Sequence, residues 1–259
     1  MTDLVSLILA HLVALLPAGL RVVGVVAFAP GLGSERAPAR VRVALAVGLA
    51  TLIVPVCVHE APPIQEPATF ILACLAELAF GAALGVALGI LLEAVRFGGE
   101  ILDLQIGLRA GQLFDPTSGE QSGILSTGYY LIAFILFVQL NGHHAVLRGI
   151  AASFDSAPVG CLGYHAGLGR VVGDLGSAVF ALGLRIAGPI IAALLLADLA
   201  FGLVARAVPQ INVFLVGIPA KIALGILVAA LGVPLLCRNV GSLAELMSRY
   251  LHLILRAFS

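Results

Sequence analysis

Charge is what this chain has least of. Only 11% of its 259 residues are charged and 61% are hydrophobic, where a soluble domain carries roughly 25% charge. So little polar surface cannot clothe a globule in water, and a membrane or an apolar assembly must cover the chain. Lysine occurs once, as Lys221, and the formal net charge is zero with no basic tract. Nucleic acid is excluded as a partner on those grounds. There is no C-x-x-C pair, and no histidine lies at ligand spacing from Cys57, Cys74, Cys161 or Cys237. These cysteines are expected to be buried thiols acting as small hydrophobes, not metal ligands or disulfides. No G-x-S-x-G or similar nucleophile setting is present, so no enzymatic site is expected. The amino-terminal run has Asp3 and no Lys or Arg before Arg21. It is too long for a signal peptide and is expected to stay in the mature protein.

What the chain has in quantity is apolar sequence broken by glycine and proline, thirty and thirteen of them. That abundance fits interrupted, closely packed helices better than plain hydrophobic rods. Apolar segments run over about 4–30, 43–58, 68–95, 124–153, 175–205 and 211–237. The third carries Gly81, Gly85 and Gly89, a small-residue stripe that lets two helix backbones approach closely. Six spans is the plain hydropathy reading, with Arg36, Arg40 and Arg42 cytoplasmic by the positive-inside rule. Arg238, Arg249 and Arg256 would then lie outside, against that rule. The conflict points to helices covered by other subunits instead of lipid. At the carboxyl end, Glu245, Arg249, His252 and Arg256 share one helical face opposite Leu and Ile. Residues 238–259 are expected to form an amphipathic helix, interfacial or packed on a partner.

The stretch 105–123 stands apart as polar and glycine-rich. It holds Gly107, Arg109, Gly111, Phe114, Asp115, Pro116, Gly119 and Gly123, with a type I turn signal at Asp115-Pro116. Irregular backbone at membrane depth persists only where protein or water satisfies its amides, so the stretch reads as a loop that closes a protein-lined passage. Just before it, Glu93, Arg96, Glu100 and Asp103 recur at steps of three, four and three on one helical face. Gly98-Gly99 between them is expected to weaken the helix. Two readings stand for the stripe: a solvated helix end with i,i+4 pairs, or a face turned to a water-filled lumen. Asp198, Arg206 and Lys221 flank a hairpin whose turn holds Pro209, Gln210 and Asn212. Here the alternatives are a structural Asp198–Lys221 pair and a polar rung of a conduit. The adjacent His143 and His144 are expected on different helix faces, without the i,i+4 spacing of a zinc pair; nothing beside them supports a titrating switch near neutral pH.

Taken in order, several of these motifs resemble one family. They are Arg21 with Phe28-Ala-Pro30, Pro38-Ala-Arg-Val-Arg42, Gly99-Glu-Ile-Leu-Asp-Leu-Gln-Ile-Gly107 and Phe114-Asp-Pro-Thr-Ser-Gly119. They continue with Leu140-Asn-Gly-His-His144, Ser153-Phe154, Pro209-Gln-Ile-Asn-Val-Phe214 and Gly217-Ile-Pro-Ala-Lys221. The ordered set resembles the FliR family of flagellar type III export-gate proteins and, more distantly, the T subunits of virulence systems. The resemblance implies an all-α integral membrane protein of helical hairpins with a glycine-rich plug loop, part of a helical pore assembly. It implies a P-like part over 1–174 that includes the plug loop 105–123, then a Q-like helical hairpin over 175–237. Implied partners are FliP-like and FliQ-like gate subunits, FlhB-like and FlhA-like export components, membrane lipid, and unfolded flagellar subunits that pass when the loop moves aside. It implies no cofactor, and a place in the bacterial inner membrane at the flagellar basal body. A T-type virulence subunit and a stand-alone secondary transporter are the alternatives.

Overall fold

Apolar segments of this length bury their backbone polar groups only by closing them into helices. In the computed structural model, every regular element among the described residues is an α-helix. The structure describes residues 2–30, 38–58, 66–108, 123–160, 168–208 and 217–238. Seven helices are described: α1 Thr2–Phe28, α2 Ala39–Cys57, α3 Pro67–Ile106, α4 Ile124–Gln139, α5 Gly142–Ser156, α6 Leu168–Ala207 and α7 Gly217–Arg238. Local chemistry sets several of their ends. Pro67 occupies the first helical position of α3, where its missing N–H is no loss. α3 stops at Gly107, whose φ of 88° is open to glycine at little steric cost. There Gly107 N–H donates to Leu104 O and Leu108 N–H to Asp103 O, a Schellman cap. Asn141, with φ 56°, separates α4 from α5, so the fourth apolar segment is two helices and not one.

The chain divides into two compact units. The first comprises residues up to Ile90 together with Asn141–Leu175. In it α2 packs on α1 and touches α5, while α1 runs alongside α3 in close backbone contact. A methyl group added at Gly81 would overlap the carbonyl of Arg21; at Gly85 it would stand 2.5 Å from Val25 O, and at Gly89 2.9 Å from Phe28 O. The expected small-residue stripe is therefore the α1–α3 seam. Val22, Val25, Phe80, Leu84, Ile150 and Phe154 fill the core around it.

The second unit comprises Leu91–Leu140 and Gly176–Ala244. Its helices are the end of α3, then α4, α6 and α7. α6 runs parallel to α3, since Phe97 meets Phe180 edge-on at 5.0 Å and Gln105 reaches Asp198. α7 returns antiparallel to α6, with Lys221 against Asp198 and Gly232 against Ile190. Tyr129 Oη on α4 donates to Ala229 O on α7 at 2.9 Å. The Gly98-Gly99 pair does not interrupt α3. It admits neighbours on two sides, the Gly183 carbonyl of α6 and the Ser126 backbone of α4, and that packing holds the helix through a weak sequence.

Four described helices are long and apolar enough to cross a membrane: Ala39–Cys57, Pro67–Ile90, Gly173–Ala207 and Gly217–Arg238. A fifth results if α4 and α5 are one broken span, and the Leu15–Phe28 part of α1 is apolar as well. The expected apolar segment 124–153 is therefore a bent pair of helices and not one plain span. Three of the cysteines also differ from the expected burial: Cys57 and Cys74 are half-buried and Cys237 is exposed, all unpaired, while Cys161 lies outside the described residues. They lie on outward apolar faces, where an apolar environment outside the chain must take the place of a core.

Replacing Gly81 by Ala drives a methyl group into the α1 backbone and is expected to cost about 1–3 kcal/mol. Gly48→Ala, with nothing within 4 Å, is expected to change stability little or raise it. Thermal unfolding of the purified protein in detergent separates the two.

Candidate functional site

In a chain with so few charges, the places where charges gather are the candidates. Among the described residues, one such gathering is at the end of α3, within the second unit. Arg96 lies between Glu93 and Glu100, at 3.8 Å and 3.6 Å, on an exposed helical face. Their side chains are 53%, 40% and 33% exposed for Glu93, Arg96 and Glu100. Spacing of three and four places them in one row, and pairs so open contribute little to stability. The row runs beside the part of α6 that presents Phe180 and Leu184 outward. Hydrocarbon would suit those two side chains but not this row of charges.

Asp103 continues the sequence stripe but not its environment. It is fully buried. Its Oδ1 accepts from Leu125 N–H at 3.0 Å and its Oδ2 from Ser126 N–H at 2.9 Å. α4 begins after Gly123, which offers no side-chain cap; Asp103 supplies the missing acceptor from another helix. A carboxylate at a helix amino terminus is favoured both by charge-assisted hydrogen bonds and by the helix dipole. Ser126 Oγ closes the same turn by donating to Gly123 O at 2.9 Å.

Two residues further along α3, Gln105 Nε2 donates to Asp198 Oδ2 at 3.4 Å. Lys221 Nζ reaches both oxygens of Asp198 at 2.8 Å. The Asp198–Lys221 pair thus ties α6 to α7, and Gln105 ties α3 to the pair. Arg206 is exposed in the last turn of α6. Gly107 and Gly123 stand at the two described edges of the 105–123 stretch. Arg109, Gly111, Phe114, Asp115, Pro116 and Gly119 fall outside the described residues, as do Gln210, Asn212 and, of the helix expected over 238–259, all but Arg238.

A second gathering lies in the first unit, and sequence reasoning saw only half of it. Arg21 on α1 and Glu77 on α3 are both 0% exposed, with Nε to Oε2 at 2.6 Å. Arg21 Nη1 also donates to Ser153 O at 2.8 Å. The guanidinium carbon lies 4.8 Å from the Phe80 ring centre and 4.5 Å from that of Phe154. Glu77 Oε1 accepts from Gly160 N–H at 3.0 Å. Arg21, Ser153 and Phe154 stand in the family-like motifs, whereas Glu77 carries no motif. The available signal was electrostatic, because a lone arginine in one apolar run needs a lone acid in another. The His143 and His144 rings are 4.3 Å apart, so they lean together and do not diverge as expected. No group of three or more metal-binding side chains occurs among the described residues.

The family described as bacterial export proteins, family 1, matches residues 12–247. Among individual proteins, the chain is similar to the flagellar biosynthetic protein FliR of Bacillus subtilis (strain 168), 31% identical with 87% of this chain and 89% of that protein covered. It is similar to the protein of the same name in Escherichia coli (strain K12), 31% identical over 84% of this chain and 83% of that protein. The Aquifex aeolicus (strain VF5) protein is 30% identical over 87% of both chains.

Removing one member of the Arg21–Glu77 pair leaves the other as an unpaired buried charge. Arg21→Met or Glu77→Gln alone is expected to cost about 3–5 kcal/mol, and replacing both by apolar residues less than either single change. Unfolding midpoints of the two single variants and the double variant check this.

Proposed function

From its membership of the bacterial export proteins, family 1, the family of the FliR proteins, we propose that this chain is a core subunit of the flagellar type III protein export gate. It acts as part of a pore wall and not as an enzyme. With FliP-like and FliQ-like subunits it forms the channel by which unfolded flagellar proteins cross the inner membrane at the basal body. FlhB-like and FlhA-like components work beside it. Residues 1–174 supply the P-like part, and 175–237 the Q-like hairpin with its turn near Gln210 and Asn212. The stretch 105–123 closes the pore.

The observation that carries this reading is the open row Glu93–Arg96–Glu100 beside the outward apolar residues of α6. A polar face and an apolar face at one level suit a wall between water and a greasy partner. They do not suit a helix bundle surrounded by lipid. The antiparallel α6–α7 pair, pinned by Asp198 and Lys221, supports the hairpin. Length agrees. α3 and α6 have 40 residues each, or about 60 Å, twice the roughly 30 Å of hydrocarbon in a bilayer. The similar proteins are flagellar by name, which favours the flagellar over the virulence machine.

Deleting residues 110–119 is expected to leave co-purification with the P- and Q-type subunits intact. It should raise the small-ion conductance of membranes that carry the assembled complex. Unchanged conductance in an intact complex would overturn the closing role.

A further inference from the structure

One arginine of α6 stands on the outward side of its helix without a partner. Arg185 is exposed part-way along the apolar stretch Gly173–Ala207, and none of the ion pairs among the described residues includes it. Resting on the export-gate role just proposed, we infer that Arg185 anchors α6 to a neighbouring subunit of the gate. The occupant of this face is a helix that is apolar on its facing side and carries one carboxylate at the level of the guanidinium.

Three contacts within the second unit fix the inner side of α6. Gly183 abuts Phe97 and the Ala94 carbonyl of α3, Ile190 lies against Gly232 of α7, and Asp198 pairs with Lys221. At 3.6 residues per turn, Arg185 projects from the opposite side. From it a row runs at steps of four, three, four, three and four through Pro189, Ala192, Leu196, Leu199 and Leu203, every one of them exposed. That spacing keeps a seam in line over about 27 Å, the kind by which one helix packs along another. The residues of the seam next to Arg185 are small, and a Cβ at Gly188 would meet nothing within 4 Å. A partner backbone can therefore come close at this level, as α1 and α3 do at Gly81.

Neither water nor lipid satisfies this side of the helix. Large apolar side chains are exposed along it before the arginine, at Phe180 and Leu184, and after it, from Leu195 to Leu203. Hydrocarbon over all of them would enclose an unpaired guanidinium, which is costly. A membrane boundary placed at Arg185 would instead leave Phe180 and Leu184 in water. A protein face meets both demands, with apolar contact along the row and a carboxylate for the guanidinium where water is excluded. That acid must come from outside, because the described acids of this unit are engaged. Glu93 and Glu100 lie with Arg96, Asp198 lies with Lys221, and Asp103 caps α4. Arg21 meets Glu77 across two helices of one chain; Arg185 presents the same requirement outward.

The test uses Arg185→Leu and Arg185→Glu in the full-length chain, co-expressed with the P- and Q-type subunits. Since Arg185 has no partner within the chain, the unfolding midpoint of either purified variant in detergent is expected to match the parent's. Co-purification is expected to fall about tenfold for Arg185→Leu, which strands a carboxylate on the partner, and further for Arg185→Glu, which sets two carboxylates face to face. A photo-crosslinking residue at position 192 of the otherwise unchanged chain is expected to trap a partner subunit. Replacing the nearest acid of that subunit by arginine should then restore assembly of Arg185→Glu. A lowered midpoint would mean that Arg185 is engaged inside the chain and overturns the inference. So does parent-level assembly of both variants, or a crosslink to lipid alone, and each of these leaves the gate role standing. A parent chain that does not co-purify with those subunits overturns the gate role and takes this inference with it.

Discussion

An ion or an amide without water must find its partner inside the protein, and in this chain that requirement decides which helices meet. Arg21 and Glu77 are fully enclosed, and enclosure of either alone would cost several kcal/mol. Their mutual contact thus fixes α1 against α3, and the Arg21 bond to Ser153 brings α5 to the same point. Asp103 answers the same requirement differently. Its charge is met by two peptide N–H groups, so the partner it selects is a helix end and not a side chain. One unit is keyed by an ion pair, the other by a carboxylate on a helix terminus.

Charge specifies these meetings, but glycine makes them close enough to work. A short ion pair between two helices requires that their axes approach, and Gly81 sits where the Arg21 backbone would meet any Cβ. The two features are interdependent: a larger residue at 81 would pry α1 off α3 and lengthen the contact that compensates Arg21. Gly99 and Gly123 stand in the same relation to Asp103. Abundant glycine in an apolar helical protein is here a condition for satisfying its few charges.

How much of this was legible beforehand depended on the range of each interaction. Helix class and the Gly81–Gly85–Gly89 seam follow from spacing along a single segment, and both were readable. The row Glu93–Arg96–Glu100 was readable too, because i,i+3 and i,i+4 geometry is local. Asp103 was grouped with that row by its spacing, yet its partners lie more than twenty residues on, and no local rule assigns a capping side chain from another helix. The continuity of α3 through Gly98-Gly99 is not legible locally for the same reason: propensity weakens the segment, and packing from α4 and α6 holds it. Glu77 was missed because one acid in an apolar run has no pattern until its arginine is found. The break at Asn141 follows from a left-handed residue that hydropathy does not register.

The final constraint is length. α2, at 19 residues, is about 28 Å long and nearly matches a hydrocarbon layer. It buries only Ala46 and Val54 against its own chain, so the side that presents Val43, Val47, Leu52 and Val56 calls for an apolar surrounding. α6 makes a different demand. Its outward residues run from Phe180 to Leu203 and on to Val208 beyond its end, about 42 Å of rise, longer than a bilayer can cover without steep tilt. Charge on the neighbouring α3 row restricts the covering further, because lipid cannot face both. A helix with excess apolar length on one side and a polar row beside it has a natural neighbour in another subunit that is itself greasy on one face and wet on the other. The proposed pore wall would supply such a neighbour, and an exterior so poor in charge is what a covering of that kind, or of lipid, requires.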